Sequence, residues 1–175
     1  MNKLFADVAN KYADQLTHPW LLVDTTQQRL YLVQSGIAQQ TYSVSTSKFG
    51  LGAQQDSYKT PQGAHVIAQK IGSNCQVNEV LRAREPSGEC AEIVVQAVSS
   101  ELDLVLTRIL WLRGLEDGKN LGPGVDSFNR YIYIHGTNEE GLIGQPASHG
   151  CVRMRNNDVI ELYACVEENT FVYIN

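Results

Sequence analysis

The apolar residues of this chain come in short runs separated by glycine and turn-forming residues, and that spacing constrains the fold more than any other feature. The runs "HPWLLVD" (18–24) and "QRLYLVQ" (28–34) are parted only by "TTQ", a hairpin signal. "IAQQTYSVSTS" (37–47) follows Gly36 as a third strand, "GAHVIAQKIG" (63–72) alternates and stops at Gly72, and "AEIVVQAV" (91–98) reads as a further strand. Segment 101–118 is ambiguous: its spacing fits a helix, yet Val105, Leu106, Thr107, Ile109, Leu110 and Trp111 also suit a strand. "RYIYIHG" (130–136) is a strong strand, and "FVYI" (171–174) closes the chain as another. The clearest helix is 156–169, with Asn156 or Asn157 as N-cap and Asp158 in its first turn. On that helix Cys165 falls into the apolar pattern of Ile160, Leu162 and Val166, which predicts a core thiol. A short amphipathic helix within 1–17 carries Leu4, Phe5, Val8, Tyr12 and Leu16 on one face. Together these segments predict a mostly β fold with minor α, in one domain over residues 1–175. The long connections 51–63 and 114–129 are the loops most suited to carry function.

Composition excludes some classes of function. Hydrophobic residues make up 43% and charged residues 19%, an ordinary globular balance. The net charge of −5 gives no polycationic field to draw nucleic acid, and Arg82 with Arg84 or Arg153 with Arg155 make only small basic spots. No stretch approaches the roughly 18 apolar residues of a membrane span. Asp7, Lys11 and Asp14 interrupt the start, so no signal-peptide core is expected there, and the expectation is a cytoplasmic protein. Reduced thiols are then expected at Cys75, Cys90, Cys151 and Cys165, although Cys75 and Cys90 flank a loop and could pair in an oxidising compartment.

The chemistry concentrates in "IGQPASHGCVRM" (143–154), which sets His149, Gly150 and Cys151 side by side. Cys151 is open to three readings: nucleophile, metal ligand or buried thiol. Metal loses ground because His149 and Cys151 lack a second paired ligand set, so no metal or cofactor is expected. A nucleophilic thiol needs a base and backbone N–H groups for the oxyanion, and its reactivity follows a lowered pKa. His149 shares a face with Cys151 on an extended segment, a contact without the usual triad geometry. His135 ends the 130–136 strand sixteen residues upstream and is the more credible base. The carbonyl of Gly136 could orient its imidazole, and Gly150 permits close approach to the backbone around the thiol.

These residues resemble the signature of the YkuD-type L,D-transpeptidase catalytic domain. That signature is a His, about fourteen to seventeen residues, then Ser/Thr-His-Gly-Cys, a hydrophobic residue and Arg or Asn. Here it reads His135, a shorter interval of twelve residues, then Ser148, His149, Gly150, Cys151, Val152 and Arg153. "KTPQGAHVI" resembles the family's Thr-Pro-x-Gly element through Thr60, Pro61 and Gly63, and "LLVDTTQQRLYLVQSG" its first hairpin. The resemblance implies a curved sheet or sandwich with one or two packed helices. It also implies Cys151 as nucleophile, His135 as base and the Gly136 carbonyl as its orienter. His149 and Arg153 would shape oxyanion and substrate-carboxylate contacts, or else serve as a hydrogen-bonded structural His and a buried ion pair. Ser148 and Gly150 would be architectural.

The family acts on peptidoglycan stem peptides. The implied substrates are stem tetrapeptides or muropeptides, cleaved before a terminal D-Ala through a Cys151 thioester. Water as acceptor makes an L,D-carboxypeptidase of murein recycling. An amine makes a cross-linking or exchanging L,D-transpeptidase, and a wall-fragment or metal-binding domain without activity is a minor alternative. The expected cytoplasmic location ranks the carboxypeptidase first.

Overall fold

The computed structural model describes residues 3–100 and 102–175. The first two positions of the expected 1–17 segment, and residue 101 of the 101–118 segment, lie outside the described residues. In chain order the elements are α1 (Lys3–Lys11), β1 (Trp20–Asp24), β2 (Arg29–Gln34), β3 (Ile37–Ser45), β4 (Gly63–Ile71), β5 (Glu79–Arg82), β6 (Glu85–Cys90), β7 (Leu106–Gly114), β8 (Tyr133–Gly136), a 3-10 turn (Glu140–Leu142), β9 (Val152–Met154), α2 (Asn156–Cys165) and β10 (Phe171–Ile174). All ten strands join one sheet in the order β4-β10-β1-β2-β3-β9-β8-β7-β5-β6, and β4 also pairs with β7. That last pairing closes the sheet into a barrel and leaves the β5–β6 hairpin as an appendage on β7. Two ladders are parallel, β1 with β10 and β8 with β9, and the rest are antiparallel.

Side-chain alternation divides the strands between two cores. Leu21, Val23, Leu30, Leu110, Ile134, Val152, Met154 and Val172 share one cluster with Val159 and Leu162 of α2. The opposite face of β1 and β10 carries Trp20, Leu22 and Phe171, which Phe5, Val8 and Tyr12 from the N-terminal helix and its exit cover. Aromatic contacts set the docking: Phe5 and Phe171 meet Trp20 edge-on at 6.1 and 6.3 Å, and Phe171 meets Tyr12 at a tilt at 5.4 Å between ring centroids. On the outer face of β7 and β8, Ile109, Trp111 and Tyr133 cluster with Cys75 and Leu81.

Four expectations change. Residues 91–98 form no strand; the paired segments there are β5 and β6. Residues 91–100 and 102 instead lie against the loop after β8, held by Val94 N–H to the Asn138 carbonyl and by the Asn138 side chain to Ser100 and Leu102, with Val95 and Val98 left exposed. Its β-propensity finds no ladder to join. Segment 101–118 resolves into β7, whose register shifts between Leu106 and Ile109 where Thr107 has φ +70°. Such a bulge breaks the two-residue period and explains the helix-like spacing. Helix α2 ends at Cys165, and its N-cap is Arg155 without a side-chain bond; Asn156 lies inside the helix, and Glu140 Oε1 accepts its N–H at 2.8 Å. Finally, Cys165 is exposed rather than core, because the helix stops there and its apolar face is spent on Val159 and Leu162. All four cysteines are free, with Cys75 buried and Cys90 exposed.

Because Phe171 is fully buried between α1 and the sheet, Phe171→Ala should cost about 3–5 kcal/mol, while Ile37→Ala, at 63% exposure, should stay within about 0.5 kcal/mol. Urea denaturation of the two variants would check this. Equal losses would mean that α1 is not docked as described.

Candidate active site

The parallel β8–β9 ladder aligns Ile134 with Val152, His135 with Arg153 and Gly136 with Met154. Paired residues of a ladder point to one face, and so do residues two apart on each strand. His135 and Arg153 therefore share the outer face with Tyr133 and Cys151, while Ile134 and Val152 face the core. A cavity of about 80 Å³ lies here, lined by Asp103, Val105, His135, Ser148, His149, Cys151 and Arg153. A second cavity of about 100 Å³ also reaches Cys151 and His149, and adds Asp56, Tyr58 and Arg130. The motif residues are thus brought together by one strand pair.

His135 is 3% exposed, and its Nδ1 lies 2.7 Å from the carbonyl oxygen of Gly136. A carbonyl only accepts, so Nδ1 carries the proton and Nε2 is the ring's acceptor. Position 136 must be glycine, since a Cβ would collide with Asn156 Oδ1 and the Leu106 carbonyl. Burial pushes the His135 pKa down to about 4, although Asp103 and the Gly136 bond pull upward. The imidazole is neutral at neutral pH.

The Cys151 thiol donates to the Tyr131 carbonyl and accepts the Tyr133 N–H, each at 3.4 Å. Burial pushes its pKa up to about 12; Asp103 pushes the same way, and the Tyr133 N–H, Arg153 and Arg130 oppose. The low-pKa thiol expected from the sequence is therefore a neutral thiol at rest, because desolvation outweighs the nearby cations. The turn before it is tightly tied. Ser148 Oγ donates to the Cys151 carbonyl at 2.6 Å and accepts the Gly150 N–H at 3.2 Å. Thr60 Oγ1 donates to the Gly150 carbonyl at 2.9 Å and accepts the Ser47 N–H at 3.0 Å. Gly150 has φ +129°, a conformation that side chains disfavour.

Arg153 is 1% exposed and ion-paired to Glu139 Oε2 at 2.6 Å and Asp103 Oδ1 at 3.1 Å; its Nε is buried without a partner. Asp103 Oδ2 also meets His149 Nδ1 at 2.8 Å. Burial lifts the Asp103 carboxyl, but the His149 bond and the Arg153 charge outweigh it and hold the pKa below its ordinary value. Glu139 is likewise held low against burial by the Ser100 N–H and Arg153. Of the two roles considered for Arg153, the geometry is that of the buried pair.

Sequence reasoning missed Asp103, Glu139, Tyr133 and Arg130. Asp103 had a signal, as the lone charge in "LDLVLT" (102–107). Arg130 had none. Its guanidinium gives N–H bonds to the Lys59 carbonyl at 2.8 Å and the Gly52 carbonyl at 3.4 Å.

Comparison with known proteins agrees with this geometry. A sequence model of the YkuD family, the L,D-transpeptidase catalytic domain, matches residues 18–174. YkuD of Bacillus subtilis (strain 168), named as an L,D-transpeptidase, is 55% identical over 42 residues, 24% of this chain and 26% of that protein. YqjB of the same organism is 44% identical over 45 residues, 26% of each chain. These matches span about a quarter of each relative. Among solved structures, an L,D-transpeptidase from Mycobacterium smegmatis superposes with TM-score 0.53 at 14% identity, over 90% of this chain and 58% of that one. The Enterococcus faecium L,D-transpeptidase gives 0.54 at 15%, over 91% and 50%. L,D-transpeptidase 3 from Mycobacterium tuberculosis, solved with a faropenem-derived adduct, gives 0.54 at 14%, over 90% and 60%. With the family signature covering all but the first seventeen residues and the last, the chain belongs to the YkuD family of L,D-transpeptidase catalytic domains.

Proposed function

We propose that this chain transfers acyl groups from peptidoglycan stem peptides through a thioester on Cys151. The observation that carries the proposal is the placement of His135 and Cys151 on one face and in one cavity, with the His135 tautomer fixed by the Gly136 carbonyl. The thiol hydrogen turns from the Tyr131 carbonyl toward His135 Nε2, and the proton moves to the imidazole as Sγ attacks the carbonyl carbon at the L-centre of the diamino acid. The C–N bond breaks, His135 returns the proton to the leaving nitrogen, and D-Ala departs. With both partners neutral at rest, proton transfer accompanies attack rather than preceding it.

Water then gives a tripeptide, the L,D-carboxypeptidase reaction of murein recycling, which we place in the cytoplasm. Supporting this acceptor is the 80 Å³ cavity beside Cys151, which takes about two or three waters. The cross-linking reading has its own support in the second cavity at Cys151, which offers an amine another approach. Purified tetrapeptide, incubated with and without a D-amino acid and read by mass spectrometry, separates them. Tripeptide and free D-Ala should dominate; dimers forming faster than tripeptide would make the transferase reading the better one. Cys151→Ala should abolish turnover, and the exposed Cys90→Ser and Cys165→Ser should keep it.

The pH dependence follows from the two shifts. A thiol raised to about 12 stays protonated through neutral pH, so alkylation of Cys151 in the free protein should still climb between about pH 8 and 10, where an ordinary thiol near 8.5 levels off. A base lowered to about 4 stays unprotonated down to that value, so peptide turnover should lose its acid limb near pH 4 rather than 6.5. His135→Ala should cut kcat/KM by about 10²–10⁴ while leaving the alkylation profile nearly in place. An alkylation plateau already at pH 7 would mark a preformed thiolate–imidazolium pair and contradict this scheme.

A further inference from the structure

Two arginines stand near the thiol, and they differ in what remains free. Arg153 is enclosed and neutralised by Glu139 and Asp103. Arg130 is half-buried, lines the 100 Å³ cavity with Cys151, and has no carboxylate partner among the described residues. Two of its five N–H donors go to the Lys59 and Gly52 carbonyls, which fix the guanidinium and leave three to offer. Asp56 lines the same cavity, makes its hydrogen bond with Gln55 at 3.3 Å, and forms no ion pair with Arg130. The cavity therefore holds one positive and one negative group that feel each other's charge without forming an ion pair. Its volume equals about three waters, enough for one residue with a one-carbon side chain.

We propose that this cavity is the subsite for the departing amino acid, with Arg130 holding the α-carboxylate and Asp56 facing the ammonium of the free zwitterion. The inference rests on the acyl-transfer reading and assigns one side of it. In acylation the carboxylate of the terminal D-Ala docks on Arg130, its amide nitrogen lies over Cys151, the S–C bond forms and the C–N bond breaks. A proton from the thiol reaches the leaving nitrogen through His135. Reversal uses the same site: a free D-amino acid enters with its carboxylate on Arg130 and its ammonium at Asp56, the ammonium releases one proton to solvent, the resulting amine attacks the thioester carbon, the C–S bond breaks, and a second proton from nitrogen passes through His135 to sulfur. A guanidinium with free donors suits a carboxylate far better than an amide, because the pairing is bidentate and charge-assisted. Arg153 cannot take this part, since its Nη1 is already shared between two carboxylates.

The test compares two tetrapeptides, one ending in free D-Ala and one in D-alaninamide, by the kcat/KM for release of the last residue. The unmodified protein should favour the free acid at least tenfold. Arg130→Gln should bring that ratio to within about twofold, and Arg130→Lys should restore part of it. If Arg130→Gln does not fold, the unmodified protein still decides: the acid-to-amide ratio should fall as salt rises from about 0.05 to 0.5 M, since the exposed rim is screened. A ratio unchanged in Arg130→Gln, or insensitive to salt, overturns the subsite alone. Failure of the unmodified protein to release either residue overturns the acyl-transfer reading and the subsite with it.

Discussion

The site depends on one parallel strand pair. An antiparallel neighbour can be reached by a tight turn, but β9 runs alongside β8 in the same direction, so the chain must cross over between them. Residues 137–151 make that crossover without a long helix. It is fastened at several points: Asn156 Nδ2 donates to the Thr137 carbonyl at 2.9 Å, Glu140 Oε1 accepts from the start of α2, and the Ala147 and Ser148 N–H groups reach the Thr46 carbonyl. The returning strand thus arrives with Arg153 opposite His135, and Cys151 falls two residues short, at the mouth. The spacing of the motif in sequence is the length of this crossover.

Burying Arg153 in the same place has a structural consequence. A guanidinium with 1% exposure is tolerated only with partners, and it has Glu139 from the crossover and Asp103 from the segment before β7. One cation therefore ties the crossover and Asp103 to β9. Asp103 then bridges to His149, the histidine beside the thiol. The two histidines of the motif are held differently: His135 is buried and bonded to a backbone carbonyl, while His149 is held by a carboxylate at the exposed edge.

The sequence made strands legible where short apolar runs stand between turn residues, as in β1, β2, β4 and β10. It misled where a bulge broke the period, as at Thr107, and where β-branched residues crossed a loop instead of joining a ladder, as at Val94 and Val95. The His135, Gly136, Ser148, His149, Gly150, Cys151 and Arg153 set was visible because it is local in sequence. Asp103 and Arg130 were not, because they reach the thiol only through tertiary contacts of irregular segments. Nor could the sequence set the sign of the thiol's pKa shift. Adjacent histidine and arginine argue for a lowered value, and only the fold reveals how far desolvation outweighs them.

A neutral resting pair has a chemical logic of its own. A thiolate exposed at a mouth open on two sides would meet oxidants and stray electrophiles as readily as its substrate. Here burial keeps sulfur protonated, and the Tyr131 carbonyl occupies its hydrogen. The groups that stabilise negative sulfur, the Tyr133 N–H together with Arg130 and Arg153, are already in position but insufficient alone. The proposed acyl transfer asks the thiol to turn away from Tyr131 toward His135 when an electrophilic carbon is present to take up the developing charge. Selectivity in such a site comes from coupling proton transfer to bond formation, so the base can remain weak and neutral without idling as an ion pair.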